Sequence, residues 1–562
     1  MIGKNLTRYE PPSSDWLEKI STNLRISPAI AQIIWNRGLK SFESVKNFLH
    51  PEDQNFTDPF RLKDMHSAVN RIESAISNRE KICVYGDYDV DGMSSVAILV
   101  RALQNLGAEV SYYIPERESE GYGLNLFAIR SLISSGVKLI VTVDNGISAV
   151  NEIAEMNDRV DFVVTDHHEP GEEIPAAVAV IDPKRRDCPY PNKNLCGCAV
   201  AFKLIQALYQ QLRGEKFESE LDIVALATVA DLVPLIGENR KFVRVGLQVI
   251  NTNPCVGIRA LIESSGLLDR KISEYNIGFM LAPRLNSAGR ISSAKLGVEL
   301  LSTNEFARAR EIAETLEDLN NQRRDLEKIV AAEAEEKFLA EQKKPPAIIV
   351  DGDDWNGGVI GLAASKLVEK YYLPTLVFTH IGSMYVGSCR SIDGLNMFDA
   401  LTEFKDLFER YGGHPKAAGV SIPERNFAAF KKNFLEYVST HLTAKDYIET
   451  LVVDSMLDPR AVDLKLVEEV ENLSPFGVGN PSPVFGWKNV RASNVKKIGR
   501  DQNHLTFSVG NIRCVGWRMA DEFLTVANEP FTFIYSVERN EFNGIESPQC
   551  TAIYIEPSRK IL

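Results

Sequence analysis

The sequence lacks what would take a chain into or across a membrane. No apolar run approaches the roughly 18 to 20 residues that span a bilayer. The opening stretch, MIGKNLTRYEPPSSDW, has no apolar segment of the secretion-signal kind, so a cytoplasmic protein is expected. Cysteine is scarce, eight in 562 residues with no CxxC pair, which argues against a disulfide frame and for reduced thiols. Cys196 and Cys198 form a lone CxC, and without a matching second pair they make a weak case for soft metal ligands. Positive charge is also in deficit. The net charge of -13 excludes a surface coated for nonspecific nucleic-acid binding but leaves room for a local basic channel. Histidine is rare at eight residues, yet two stand together in VTDHHEP, behind Asp166 and at the end of a β-branched run. With 44% hydrophobic residues the chain can bury several cores, in roughly three to five domains.

After a proline-broken helical segment over residues 1–60, an α/β alternation begins. KICVYG (81–86), VSYYIP (110–115), VKLIVTV (137–143), DFVVT (161–165) and AVAVI (177–181) are near-continuous apolar runs separated by helical stretches. That pattern predicts a parallel sheet covered on both faces. Ligands bind such sheets outside the carboxyl ends of the strands. Asp87, Asp89 and Asp91 follow the first run, Asp144 the third, and Asp166, His167 and His168 the fourth. A later apolar helical stretch, LDIVALATVADLVPL (221–235), adds Asp231, whose burial would be costly unless it were paired or coordinated. Each aspartate alone reads equally well as a helix cap; their coincidence on one edge does not. Several aspartates with imidazoles and no thiolate suit Mn²⁺ or Mg²⁺. So many carboxylates call for two cations about 3.5 to 4 Å apart, a geometry that activates water for attack on phosphorus.

VYGDYDVDGMSS, VTVDNGIS, VTDHHEP and ATVADLVPL, in that order, resemble the four motifs of the DHH phosphoesterase superfamily. NSAGR (286–290), DWNGGVIGLAASKL (354–367), GSCRSIDG (387–394), YGGHPKAAG (411–419) and LSPFGVGNPSPVF (473–485) narrow the resemblance. They point to bacterial exonucleases that degrade single-stranded DNA from the 5′ end. The resemblance implies that Asp89 and Asp91 bind separate ions, that Asp144 bridges them, and that His167 and Asp231 complete the second ion's shell. It also implies that His168 faces the scissile phosphate and that Asp166 orients an imidazole, so the catalytic set is His168, Asp144 and Asp166. The chain departs from the pattern at Tyr85, where smaller relatives often carry a histidine; Asp87 or water is left to fill that coordination position.

The implied organisation is a metal-binding catalytic domain over 61–245, a helical connector over 246–345, a smaller α/β companion (DHHA1) domain over 346–450 and an OB-like β-barrel over 455–562. In the companion domain Ser388, Arg390, Ser391, Gly413 and His414 are the phosphate-gripping candidates. In the connector, Arg284 and Arg290, flanking Asn286, are expected to face the DNA path. The run 305–339 reads as one long strut helix, with Ile312, Leu316, Leu319, Arg323, Leu326 and Val330 along one stripe. Five or so strands are expected in the barrel, with a turn at Asn543–Gly544 and with Trp487, Phe507, Trp517, Phe533 and Tyr535 as stacking candidates, half or more of them core. Removing 455–562 is expected to leave the metal core working. The resemblance further implies a monomer that collaborates with single-stranded-DNA-binding protein and a helicase in recombination and repair. Two alternatives carry over. An oligoribonucleotide or small-nucleotide phosphodiesterase would need only a shorter chain, and a noncatalytic replication relative would have lost the ligands that are present here.

Overall fold

The computed structural model describes residues 4–116, 120–121, 123–341, 344–526 and 529–558. Two compact units emerge: Glu10–Leu319 with Asp454–Ser558, and Asn320–Val453 with the residues before Glu10. The chain opens with a short strand, β1 (Asn5–Arg8), which the helical reading of 1–60 did not foresee; the helices Ser14–Leu24, Pro28–Asn36 and Phe42–Leu49 follow. Serines at 13, 27 and 41 cap all three, each accepting a backbone N–H in the first turn.

The five apolar runs form β2 (Lys81–Tyr85), β3 (Glu109–Tyr113), β4 (Val137–Val143), β5 (Asp161–Thr165) and β6 (Ala179–Ile181). All pair in parallel, in the order β3-β2-β4-β5-β6. Every residue of β4 except Lys138 is buried, as a sheet covered on both faces requires. The chain leaves β2 for β3 on one side and then crosses to β4 on the other, so the strand order reverses between β2 and β4. That is where an open α/β sheet forms its ligand crevice. The helix Val90–Asn105 is buried on nearly every side, packed among later helices above the sheet, which explains its apolar run without a polar face. The boundary expected at 245/246 falls inside the helix Gly237–Thr252.

In the second unit β7 (Ile348–Asp353), β8 (Thr375–Ile381), β9 (Met384–Arg390), β10 (Arg410–Gly413) and β11 (Ala417–Pro423) form a mixed sheet ordered β10-β11-β9-β8-β7. A further strand, β12 (Thr450–Val453), pairs in parallel with β1. The helix Phe306–Leu339 is continuous, and its stripe is buried at Ile312, Leu316 and Val330 and half-buried at Leu319, Arg323 and Leu326.

The C-terminal sheet has seven strands rather than about five: β13 (Ser455–Met456), β14 (Phe485–Val490), β15 (Ser493–Ile498), β16 (His504–Val509), β17 (Ile512–Gly516), β18 (Phe531–Phe542) and β19 (Ile545–Pro557). Asn543 and Gly544, both at positive φ, turn the β18–β19 hairpin. Phe507, Phe533 and Tyr535 are core, Trp487 is half-buried and Trp517 is 53% exposed.

This sheet does not stand apart from the rest of its unit. Ile20, Ile30, Ile33, Ile34, Val45 and Phe48 of the N-terminal helices share one apolar cluster with Val467, Phe507, Phe531 and Phe533. The guanidinium of Arg240, 1% exposed, lies over the Phe48 ring and donates to the carbonyls of Phe48, Ser474 and Pro475. Removing 455–562, expected to leave the metal core working, would uncover this cluster and take from Arg240 two of its three carbonyl acceptors. No helix among the described residues is long and apolar enough to cross a membrane.

Candidate metal centre

The first motif turns sharply after β2. Asp89 caps the helix Val90–Asn105, its Oδ1 accepting from the backbone N–H groups of Asp91 and Gly92 at 2.9 and 3.0 Å. Asp91, in the first turn of that helix and 1% exposed, accepts from the N–H groups of Gly197 and Cys198 at 2.6 and 2.8 Å. Those donors open the helix Gly197–Arg213, so its positive end partly balances a buried carboxylate.

Asp144 follows β4 in the left-handed region at φ 61, a conformation disfavoured for a non-glycine residue. The turn aims its carboxylate back over the sheet edge. A Cβ on Gly197 would stand 2.6 Å from Cβ and Oδ1 of Asp144, so glycine is required there. In the sequence Gly197 is marked only by the cysteines on either side of it, whose sulfurs are the evident feature of the CxC motif. The backbone of that motif does the positioning instead. Both thiols are fully buried, held well above their ordinary range by burial and then by the charge of Asp91.

After β5 the adjacent histidines part company. His167, 6% exposed, turns Nε2 toward Asp144 Oδ1 at 3.0 Å and Asp91 Oδ2 at 3.7 Å, and Nδ1 toward Asp231 Oδ2 at 3.7 Å. His168 sets Nδ1 at 2.7 Å from Asp166 Oδ1. Asp166 also accepts from the N–H groups of His167, His168 and Ile147. Asp231 stands at the C-terminal end of the helix Leu221–Ala230.

Two ligand groups result. Asp87, Asp89 and Asp144 form one, and Asp91, His167 and Asp231 the other, the donor atoms within each lying within 4.8 Å of one another. Asp144 also groups with His167 and His168, so it touches both sides. Both ring nitrogens of His167 and Oδ2 of Asp231 are buried without a hydrogen bond. A neutral imidazole offers one lone pair, and that lone pair set among converging carboxylates is what a divalent cation satisfies. Protonation behaviour agrees. Burial, then Asp89, pushes Asp91 up to about 7; burial and neighbouring carboxylates push Asp144 and Asp231 well above their ordinary range. Burial, then His168, lowers His167 to about 3 and keeps its imidazole neutral, as a ligand must be. Burial pulls His168 down, but the hydrogen bond and charge of Asp166 outweigh it and raise the net value. Tyr85 stays outside both groups, its buried hydroxyl donating to the Gly123 carbonyl at 3.2 Å.

The remaining predicted positions divide. Arg284 is corrected: at 8% exposure its guanidinium is bound to Glu317 and the Met280 carbonyl, so it braces two helices instead of facing DNA. Asn286 accepts from the Val90 N–H at 3.1 Å and thereby holds the first-motif turn; Arg290 is half-buried on the same helix. In the other unit the two glycine-rich motifs meet at one end of the sheet. Arg390 pairs with Ala417, and the Ser391 N–H donates to the Lys416 carbonyl. Arg390 is oriented by Ser365 Oγ, Ser388 Oγ and the Cys389 carbonyl at 3.1, 3.2 and 2.8 Å. Ser391, 8% exposed, spends its hydroxyl on the Leu395 carbonyl, which corrects it from phosphate donor to turn brace. Gly413 takes φ 146, where a Cβ would stand 2.5 Å from the Ala417 oxygen, and His414 beside it is exposed.

Residues 81–228 match the DHH family, N-terminal domain; 344–440 match the DHHA1 domain and 453–554 the RecJ OB domain. The chain is 37% identical to the single-stranded-DNA-specific exonuclease RecJ of Bacillus subtilis, over 98% of this chain and 70% of that protein. Against the protein of that name from Haemophilus influenzae, identity is 33% over 90% of this chain and 92% of the relative. The crystal structure of RecJ from Thermus thermophilus in complex with Mn²⁺ superposes with a TM-score of 0.86 at 28% identity, covering 99% of this chain and 80% of that one. Its Mg²⁺ complex gives 0.80 at 27% identity, covering 99% and 79%.

Proposed function

The chain belongs to the RecJ family, and from that premise we propose that it is a metal-dependent exonuclease that hydrolyses single-stranded DNA from the 5′ end. The observation that carries the proposal is the pair of ligand groups joined at Asp144, where the strand order reverses. Asp87, Asp89 and Asp144 would hold one divalent ion, Mn²⁺ or Mg²⁺, and Asp91, His167 and Asp231 the second, with Asp144, which also groups with His167, beside both. Such a pair of ions supplies an activated water and neutralises charge on the phosphoryl oxygens. The protein's own part is positional. Asp166 fixes the ring of His168 with Nε2 directed away from the carboxylate, where it donates a proton to the leaving oxygen. Tight packing of Gly197 keeps Asp144 in place, and Asn286 keeps the first-motif turn in place.

The domains proposed for 61–245, 346–450 and 455–562 divide the work into hydrolysis, phosphate grip through Arg390, Ser388, Gly413 and His414, and strand binding. On this reading the enzyme works as a cytoplasmic monomer in recombination and repair, alongside single-stranded-DNA-binding protein and a helicase, with membership of the family as the support. The test is to incubate end-labelled single strands, duplexes and RNA with the purified protein and Mn²⁺ or Mg²⁺. Loss of single strands from the 5′ end, abolished by excess EDTA, is expected. Cleavage that survives EDTA, or that proceeds only from the 3′ end, overturns the proposal.

A further inference from the structure

A cavity of about 380 Å³ lies within the catalytic unit, walled by the N-terminal helix Phe42–Leu49, the segment that follows it and the first turn of the helix Gly237–Thr252. None of the candidate metal ligands lines it. Its volume exceeds that of an inorganic anion and falls in the range that holds a small organic molecule.

The charge of the wall sets this cavity apart. Arg240 and Lys241, adjacent in the chain, both line it and are 1% and 9% exposed. Cations buried to this degree are ordinarily paired with a carboxylate. These two meet carbonyls instead: Arg240 donates three of its five N–H groups to Phe48, Ser474 and Pro475, and Lys241 donates one of its three to Gln54. Burial, then the neighbouring charge of Arg244, pulls Arg240 down to about 9, as befits a cation short of a counter-charge. A third cation on the wall, Arg37, grips Asp454 with its two terminal nitrogens, while its Nε is buried without a hydrogen bond. The one carboxylate among the lining residues, Glu238, is already taken by Lys203 Nζ at 2.6 Å, the Tyr190 hydroxyl at 2.5 Å and the Thr57 N–H at 2.9 Å. The helix that carries both cations also opens here, at Gly237 and Glu238, with no side chain capping its N-terminus. Leu39, Phe48, Pro51 and Ile236 make the rest of the wall largely apolar, with the amides of Asn47 and Asn55 among them.

We propose that this cavity binds a small phosphate monoester of nucleoside monophosphate size, its phosphate held by Arg240, Lys241 and the helix N-terminus. The free donors on the two buried cations meet the phosphate oxygens through charge-assisted hydrogen bonds, and the apolar wall covers the organic part. The site stands behind the metal centre. Asn239, in the same first turn, donates to the carbonyls of Asn194 and Pro234, each three residues from a residue of that centre, Gly197 and Asp231. The inference goes beyond the exonuclease reading and does not depend on it.

Calorimetric titration of the full chain in EDTA tests this, with Arg390→Ala as the background so that the phosphate grip of the companion domain does not contribute. Thymidine 5′-monophosphate should bind at one site per chain. Inorganic phosphate should bind more weakly and compete with it, and thymidine should not bind. Adding Lys241→Met should lower affinity for the monophosphate roughly tenfold or more, and Lys241→Arg should retain it. Asn55 is exposed on the cavity wall and offers a variant that leaves the core untouched. Asn55→Asp brings a negative charge to the site and should weaken binding with the denaturation midpoint unchanged. Absence of binding by the monophosphate, binding of thymidine as tight as that of its monophosphate, or binding that neither Lys241→Met nor Asn55→Asp weakens would each overturn the proposal.

Discussion

Nδ1 of His168 lies 2.7 Å from Oδ1 of Asp166, whereas the ring of the adjacent His167 turns both its nitrogens toward Asp144, Asp91 and Asp231. Two neighbouring residues of one kind thus face different chemistry. His167→Ala should weaken Mn²⁺ binding, with activity partly restored at high Mn²⁺. His168→Ala should bind Mn²⁺ normally and turn over about a hundredfold to ten-thousandfold more slowly at every Mn²⁺ concentration. Calorimetric titration beside single-turnover cleavage reads both. Loss of an ion in His168→Ala with both ions kept in His167→Ala would reverse the assignment.

The guanidinium of Arg390 is held by two serine hydroxyls and a carbonyl, a fixed orientation that lysine cannot reproduce. Both Arg390→Ala and Arg390→Lys should weaken binding of short single strands, the former by about 1.5 to 3 kcal/mol, with Mn²⁺ affinity unchanged. Parental cleavage by Arg390→Ala at subsaturating DNA would remove Arg390 from the substrate site.

Arg240 ties the barrel to the catalytic half through three carbonyls. Arg240→Met keeps much of the volume but leaves those acceptors unmet, which should cost about 3 kcal/mol. Denaturant unfolding measures the loss, and hydrogen exchange at residues 474–476 should rise with it. A variant as stable as the parent would mean that the apolar cluster alone joins the two.

Burial raises the carboxyl of Asp182 to about 7, while its Oδ1 accepts from the Lys184 N–H. The folded chain therefore keeps a proton that the unfolded chain releases near pH 4. Where the folded state binds more protons, stability falls as pH rises. This contribution should decline between about pH 4 and pH 7 and then level off. Asp182→Asn, which cannot ionise, should gain on the parent across that window. A difference between the two that is flat from pH 4 to pH 8 would refute the assignment.

The catalytic sheet was open to reading because β2, β4, β5 and β6 are almost wholly buried, leaving only the edge strand β3 exposed, and because the apolar runs end at carboxylates. The candidate ligands Asp87, Asp89, Asp91, Asp144 and His167 could be picked out for the same reason, because strand ends are fixed by where the apolar run stops, whereas Asp231 stood out as a carboxylate ending an apolar helix. Gly197 was not, because its requirement comes from Asp144, more than fifty residues earlier, and only the packed helix brings the two together. Arg284 was misread because an arginine beside a motif looks the same in sequence whether it meets DNA or Glu317. The union of the N-terminal helices with the barrel was hidden in the same way. Amphipathic faces show that a helix is covered, and nothing in their periodicity says by which distant segment.

The central claim is that Asp144 joins two ion sites at the carboxyl edge of the sheet. Anomalous diffraction at the manganese edge, from crystals of the protein grown with Mn²⁺, tests it most directly. Two peaks about 3.5 to 4 Å apart are expected, one bounded by Asp87, Asp89 and Asp144 and the other by Asp91, His167 and Asp231. A single peak, or two peaks neither of which contacts Asp144, would contradict the account.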